Sequence, residues 1–240
     1  MTPRLHPGLA PIDAVAFDLD GTLIDSAADI QHALNAALKK AGLERFDLDI
    51  VRSWIGDGPD ALLAQALARL GRADADADLR TRLRRWYDIA SLAAPLSLGQ
   101  VYPGIPALLM ALRRHLPLAV ATNKPTPLAR AVLEAAGLLP LLRGVFGADS
   151  AAQRKPAPPL LLATARALGV AQTRLAMVGD SALDVQAAEA AGCPALLVGW
   201  GYGAHLLAGR TAVLRVDSAA ALLDTLLAAR TAAATTTTHD

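Results

Sequence analysis

The 240-residue chain has one cysteine, Cys193, and so no internal disulfide. A lone cysteine in "AAGCPALLV" suits a small buried hydrophobe in a reducing compartment better than a catalytic thiol. Aromatic residues are scarce at 4%, although 53% of the chain is hydrophobic, and the excess is largely Ala and Leu, as in a helix-rich protein. No stretch approaches the roughly 20 uncharged apolar residues that cross a bilayer, and the start, "MTPRLHPGLAPID", lacks the apolar segment of a secretory signal. A cytoplasmic, non-membrane protein is therefore expected. Neither sign of charge dominates: the net charge is +1 and no basic run stands out, which argues against a nucleic-acid binder. The five histidines have no metal-ligand spacing, and the terminal "TAAATTTTHD" reads as a low-complexity disordered tail, residues 231–240.

What is present is an alternation. Short, nearly continuous apolar runs end in polar or glycine residues at 13–18, 117–123, 175–180, 194–201 and 212–218. Continuous runs of this kind suit strands covered on both faces, as in a parallel sheet. Between them, residues 104–115, 126–137, 157–169 and 181–192 carry apolar positions at helical spacing, three of them ending at Gly137, Gly169 and Gly192. The expected fold is a doubly wound, Rossmann-like α/β core. Residues 26–100 interrupt it with helical patterns alone and balanced charge, ten Lys and Arg against ten Asp and Glu. The expected organisation is a core of 1–25 and 101–230 with a helical domain, 26–100, inserted after Asp25 and hinged near Pro103 and Gly104.

Within "AVAFDLDGTLIDS" the chain crowds Asp18, Asp20 and Asp25 at the end of the first strand. Ligands of open α/β sheets sit at the carboxyl ends of the strands. Other elements bring Thr122 ("ATNK"), Lys155 ("RKPAP"), Asp180 and Asp184 ("GDSALD") to that same edge. Carboxylates gathered there repel one another unless a hard cation intervenes, Mg²⁺ above all. With the metal granted, the rest reads as phosphoryl-transfer equipment. Asp18 could attack phosphorus and form an aspartyl-phosphate, and Asp20 could act as general acid and base. Thr122 supplies a donor to the phosphate oxygens and Lys155 balances charge. Asp180 would ligate the metal directly, and Asp184 directly or through water. Each residue has a plainer reading alone: Asp180 and Ser181 as a helix N-cap, Asp184 as a first-turn acid, Thr122 as a strand-end hydroxyl. Their arrival in order on one edge outweighs those readings.

In "DLDGT", "ATNK", "RKP" and "GDSALD" the chain resembles the haloacid dehalogenase-like superfamily of phosphohydrolases. The resemblance implies that Asp18 is the nucleophile and Asp20 the acid/base. It implies that Thr122, Asn123 and Lys155 bind phosphate, and that Mg²⁺ sits on Asp18, Asp180, Asp184 and the Asp20 backbone carbonyl. The insert then resembles the family's C1-type cap. "WIGDGPDAL", "TNKPTP" and "GDSALDVQAAEAAGCP" look like the bacterial phosphoglycolate phosphatase family, which implies a small phosphorylated metabolite as substrate; a monomer or small homo-oligomer is expected. In that family the first stretch is a cap loop at the active site. Here Gly56, Asp57 and Gly58 would form it, with backbone N–H groups, better than Asp57, meeting a substrate carboxylate. Alternatives on the same scaffold are a phosphatase of another sugar or amino-sugar phosphate, a β-phosphoglucomutase-like mutase or a phosphonatase. A receiver-type signalling module is disfavoured by Asp20, which serves turnover.

Overall fold

The computed structural model describes residues 9, 11–203 and 213–236. Six parallel strands form the central sheet: β1 (Ala14–Phe17), β4 (Leu118–Thr122), β5 (Gly144–Gly147), β6 (Leu175–Gly179), β7 (Ala195–Val198) and β8 (Leu214–Val216), in the order β5-β4-β1-β6-β7-β8. Five of them lie in the apolar runs of the sequence. The sixth, β5, has the sequence Gly-Val-Phe-Gly; it is too short and glycine-flanked to announce itself, and it forms by pairing Val145 with Val120 at the sheet edge.

The strands alternate between two cores. Val15 and Phe17 of β1, with Val120, Ala176 and Val178, face one cluster; Ala14 and Ala16, with Leu175 and Met177, face the other. Helices α5 (Ile105–Leu112) and α9 (Ala219–Thr236) pack together over the first face. Helices α7 (Pro159–Leu168) and α8 (Ala182–Ala191) cover the second. Burial on both faces explains why these strands read as continuous apolar runs. Cys193 is buried in the second core, and burial pushes its thiol up to about 11, so it behaves as a small hydrophobe. Helix α9 continues through residues 231–236, where a disordered tail is expected from the sequence; alanine is the strongest helix former, so a helix docked by Leu222 and Leu226 extends through "TAAATT". Residues 237–240 lie outside the described residues.

Between β1 and β4 stand α1 (Ala27–Lys40), α2 (Leu48–Arg52), α3 (Pro59–Arg69) and α4 (Ala77–Ala93). They share an apolar cluster that includes Leu34, Leu38, Leu67 and Leu83, all fully buried. The two ends of this segment are tied side by side by a short antiparallel pair, β2 (Ile24–Asp25) with β3 (Gln100–Val101). Asp29 in the first turn of α1 fastens the return, accepting N–H bonds from Ser97, Leu98 and Gly99 at 2.8–2.9 Å. Helix α6 (Thr126–Ala135) follows β4 and contributes Leu128 to the helical cluster. Among the described residues no helix is long and apolar enough to cross a membrane.

Leu34→Ala is expected to destabilise the protein by about 2–5 kcal/mol, because the emptied site is closed on all sides. Urea unfolding should show a lower midpoint at unchanged slope, and a loss of under about 1 kcal/mol would mean that the helical cluster repacks freely.

Candidate active site

The three central strands β4, β1 and β6 end side by side, and the chemistry-bearing residues follow directly from those ends. Asp18 succeeds β1, and its N–H continues the ladder to Val178 O at 2.8 Å. Thr122 closes β4, and Asp180 follows β6. Gly21 turns the chain after Asp20 with φ +87°, and a Cβ there would stand 2.6 Å from Asp180 Oδ2. A side chain at that turn would therefore be both strained and in collision with the carboxylate.

Asp18, Asp180 and Asp184 are buried, and each offers an oxygen within 4.8 Å of the others'. Lys155 stands among them. Its ammonium lies 2.9 Å from Asp18 Oδ1 and donates to Asp184 Oδ1 at 2.6 Å and to Ala121 O at 3.1 Å. Asp180 accepts from Thr22 Oγ1 at 3.2 Å and from the N–H groups of Tyr202 and Gly203 at 2.7 and 3.2 Å. Asp184 serves two masters: Oδ2 accepts from Ser181 N and Oγ as part of the α8 capping box, while Oδ1 faces Lys155. The plain and the functional readings of that residue are both satisfied at once.

Three carboxylates share one ammonium, and the protonation states reflect the shortfall. Burial pushes the Asp18 carboxyl up to about 6; Lys155 opposes this and Asp184 adds to it. Burial, then repulsion from Asp184 and Asp18, pushes Asp180 up to about 7. Burial works against the charge on Lys155, but Asp18 and Asp184 outweigh it and raise its pKa. Asp18 Oδ1 is buried without a well-aligned hydrogen bond, the ammonium at 2.9 Å being an ion contact. An orphaned carboxylate oxygen beside two more fits a hard, oxygen-seeking divalent cation.

On the other side of Asp18 lies a cavity holding about 420 Å³ of space between atoms, its open mouth included. Asp18, Asp20, Thr122, Asn123 and Lys124 form its floor; Ile30, Trp54, Ile55, Gly56, Gly58, Pro59, Leu62 and Tyr87 come down from the helical segment. Asn123 binds the two layers: its Nδ2 donates to Gly56 O and Lys155 O at 3.0 Å, and its Oδ1 accepts from Lys155 N at 2.7 Å. Gly58 opens α3 at φ +82°, where a Cβ would stand 2.7 Å from Asn123 O, so the loop can lie this close to the floor only as glycine. Asp57 is exposed and does not line the cavity.

The Asp20 carboxylate is not in the cluster of three. It is held by Ser26 Oγ and by Lys124, whose Nζ donates to both its oxygens at 2.9 and 3.1 Å. Burial disfavours the Lys124 charge, but the attraction of Asp20 outweighs it and raises the pKa. In the sequence Lys124 is only the last letter of "ATNK", and the partner that gives it a role, Asp20, lies 104 residues away. Tyr202 is the second residue the sequence does not flag. Its OH accepts from Ser26 N and Ala27 N at 2.8 and 3.0 Å and donates to Asp25 Oδ1 at 2.8 Å. It thus caps α1 in place of Ser26, whose own hydroxyl is spent on Asp20.

The haloacid dehalogenase-like hydrolase family matches residues 12–192. A phosphoglycolate phosphatase of Rhodospirillum rubrum is 43% identical over 217 residues, covering 89% of this chain and 90% of that protein. The phosphoglycolate phosphatase of Chromobacterium violaceum is 41% identical, covering 90% of this chain and 97% of that one. The crystal structure of a predicted phosphoglycolate phosphatase from Haemophilus somnus 129PT superposes with a TM-score of 0.80 at 28% identity, covering 90% of this chain and 98% of that one.

The Asp18 and Asp180 carboxyls, raised to about 6 and 7, bind protons more tightly in the folded than in the unfolded chain. Their contribution to stability is full below about pH 4 and is lost as pH rises through about 6 to 7. A divalent cation competes with those protons. The rise in Tm on adding Mg²⁺ is therefore expected to be larger at pH 8 than at pH 5, read by scanning calorimetry; an equal rise at both would place the ion away from these carboxylates.

Proposed function

This chain belongs to the haloacid dehalogenase-like hydrolases, and from that premise we propose that it is a Mg²⁺-dependent phosphatase that converts 2-phosphoglycolate to glycolate and phosphate. The observation that carries the reading is the pairing of Asp18, at the boundary of the carboxylate cluster, with a small cavity that begins at Asp18 and Asp20. The names of the curated relatives support the substrate.

Mg²⁺, held by Asp18, Asp180 and Asp184, would neutralise charge on the transferring phosphoryl group. The chain's own residues do the rest. An Asp18 oxygen attacks phosphorus and the bond to the ester oxygen breaks, leaving an aspartyl-phosphate. Asp20 gives its proton to the departing oxygen of glycolate. In the second half Asp20 takes a proton from water, the water oxygen attacks phosphorus, and the bond to Asp18 breaks to release phosphate. Thr122 and the N–H groups after Asp18 donate to the phosphate oxygens. Lys155, with its three contacts to Asp18, Asp184 and Ala121, keeps Asp18 ionised and aimed. The helical segment acts as a cap that excludes bulk water and limits substrate size. Its contribution to the cavity is apolar apart from Tyr87, the Trp54 indole and the glycine backbone, which offers little to the several hydroxyls of a sugar phosphate.

Asp18→Asn is expected to lower phosphate release at least about a thousandfold with the fold intact by circular dichroism; appreciable residual turnover would sink the covalent route. EDTA should abolish activity and Mg²⁺ restore it, with Ca²⁺ ineffective because its looser coordination misplaces the nucleophile. Across a panel of small phosphomonoesters, kcat/KM for 2-phosphoglycolate should exceed that for sugar phosphates tenfold or more, about 1.4 kcal/mol. A flat panel would leave the chemistry and remove the substrate.

A further inference from the structure

The charges around the cavity do not balance for an acidic leaving group. Of the residues that line it, Asp18 and Asp20 are anionic and Lys124 is the one cation among the described residues. A substrate that carries a carboxylate besides its phosphate must set that group down beside these aspartates. The ammonium of Lys155 cannot serve, since it is not among the lining residues and its three contacts are already made, to Asp18, Asp184 and Ala121. The cap loop is no better placed. Pro59 at the start of α3 has no N–H to give, Asp57 is exposed and outside the lining, and the donors that remain, the backbone N–H groups of Gly56 and Gly58 and the Trp54 indole N–H, carry no charge.

Lys124 differs from Lys155 in how it is used. Its Nζ makes two hydrogen bonds, both to Asp20, and an ammonium has three donors. The third has no acceptor among the described residues. For Asp20 to protonate the ester oxygen, that oxygen must come within hydrogen-bond reach of Asp20. In 2-phosphoglycolate a single methylene separates the ester oxygen from the carboxylate, which brings the carboxylate within reach of the groups that hold Asp20. Of these, Ser26 Oγ is neutral and Lys124 is the cation.

We propose that Lys124 is the specificity-determining cation of the site, holding the substrate's carboxylate through its free N–H while its other donors keep Asp20 in place. The inference rests on the 2-phosphoglycolate reading and adds a charged partner to the neutral cap-loop backbone donors expected from the sequence. A phosphomonoester without a neighbouring anion gains nothing from that contact, and a Lys124 that merely positions Asp20 would serve all substrates alike.

The test compares 2-phosphoglycolate with ethyl phosphate, which has a methyl group where the carboxylate stands. Wild type is expected to prefer 2-phosphoglycolate tenfold or more in kcat/KM. Lys124→Met should lower kcat/KM for 2-phosphoglycolate at least tenfold further than for ethyl phosphate, chiefly through KM, and Lys124→Arg should keep most of the preference. If Lys124→Met does not fold, Lys124→Gln, with a shorter polar head and no charge, takes its place with the same expectations. Equal losses on both substrates would overturn the inference while leaving the phosphoglycolate reading standing, because Lys124 would then act only through Asp20. A wild-type enzyme without preference would overturn the phosphoglycolate reading itself, and the carboxylate contact with it.

Discussion

Three buried carboxylates around one buried ammonium are the constraint to which the rest of this structure answers. Removing ionised groups from water costs several kcal/mol each, and Lys155 compensates only part of it. The fold therefore surrounds Asp180 and Asp184 with donors: Thr22, the backbone of Tyr202 and Gly203, and the Ser181 cap. Asp18 alone is left with a buried oxygen lacking a hydrogen bond. Of the three, the residue proposed to react is the one least satisfied by the protein, and it is also the one that opens onto the cavity.

The sheet order makes this crowding possible. With β1 between β4 and β6, the turns after three strands meet at one point, so residues more than 150 positions apart, such as Thr22 and Asp180, become hydrogen-bond partners. Parallel pairing sets the height of each strand end: Phe17 is level with Val178 and Val120, so Asp18 emerges beside Gly179 and Ala121. A one-residue slip would turn the strands' apolar faces inside out, so the packing that stabilises the sheet also fixes the site's register.

The helical segment is joined to the core by contacts of a different kind. Within it the packing is apolar and closed. Across the boundary Leu128 of α6 joins that cluster, and beside it the links are polar: Asn123 to Gly56, Tyr202 to the start of α1, and Asp60 to Arg154 of the core, Asp60 being shared with Arg84 of α4. The two arginines hold the Asp60 carboxyl below its usual range despite the opposing effect of its partial burial. Polar links exchange with water at small net cost, whereas an apolar core does not. The polar part of the boundary is thus built from the contacts most easily remade.

Much of this was legible in local sequence because its physics is local. Strand and helix periods, the helix-ending glycines at 169 and 192 and the capping pair Ser181 and Asp184 depend on neighbours a few residues away. The four carboxylates, Thr122 and Lys155 were readable because each lies just after an apolar run or in the turn ahead of or at the start of a helix, and strand ends in a parallel sheet share an edge. Strand β5 was not, since Gly-Val-Phe-Gly becomes a strand only against Val120. Nor was the division of labour among the charges. Whether Lys124 or Lys155 meets Asp20, whether Asp57 faces the cavity or solvent, and what caps α1 are settled between groups 104 and 176 residues apart in the chain. Sequence determined which elements form and which residues stand at their ends. Only tertiary structure decided which charge faces which, because that depends on distances set by sheet order and packing, and no local period encodes them.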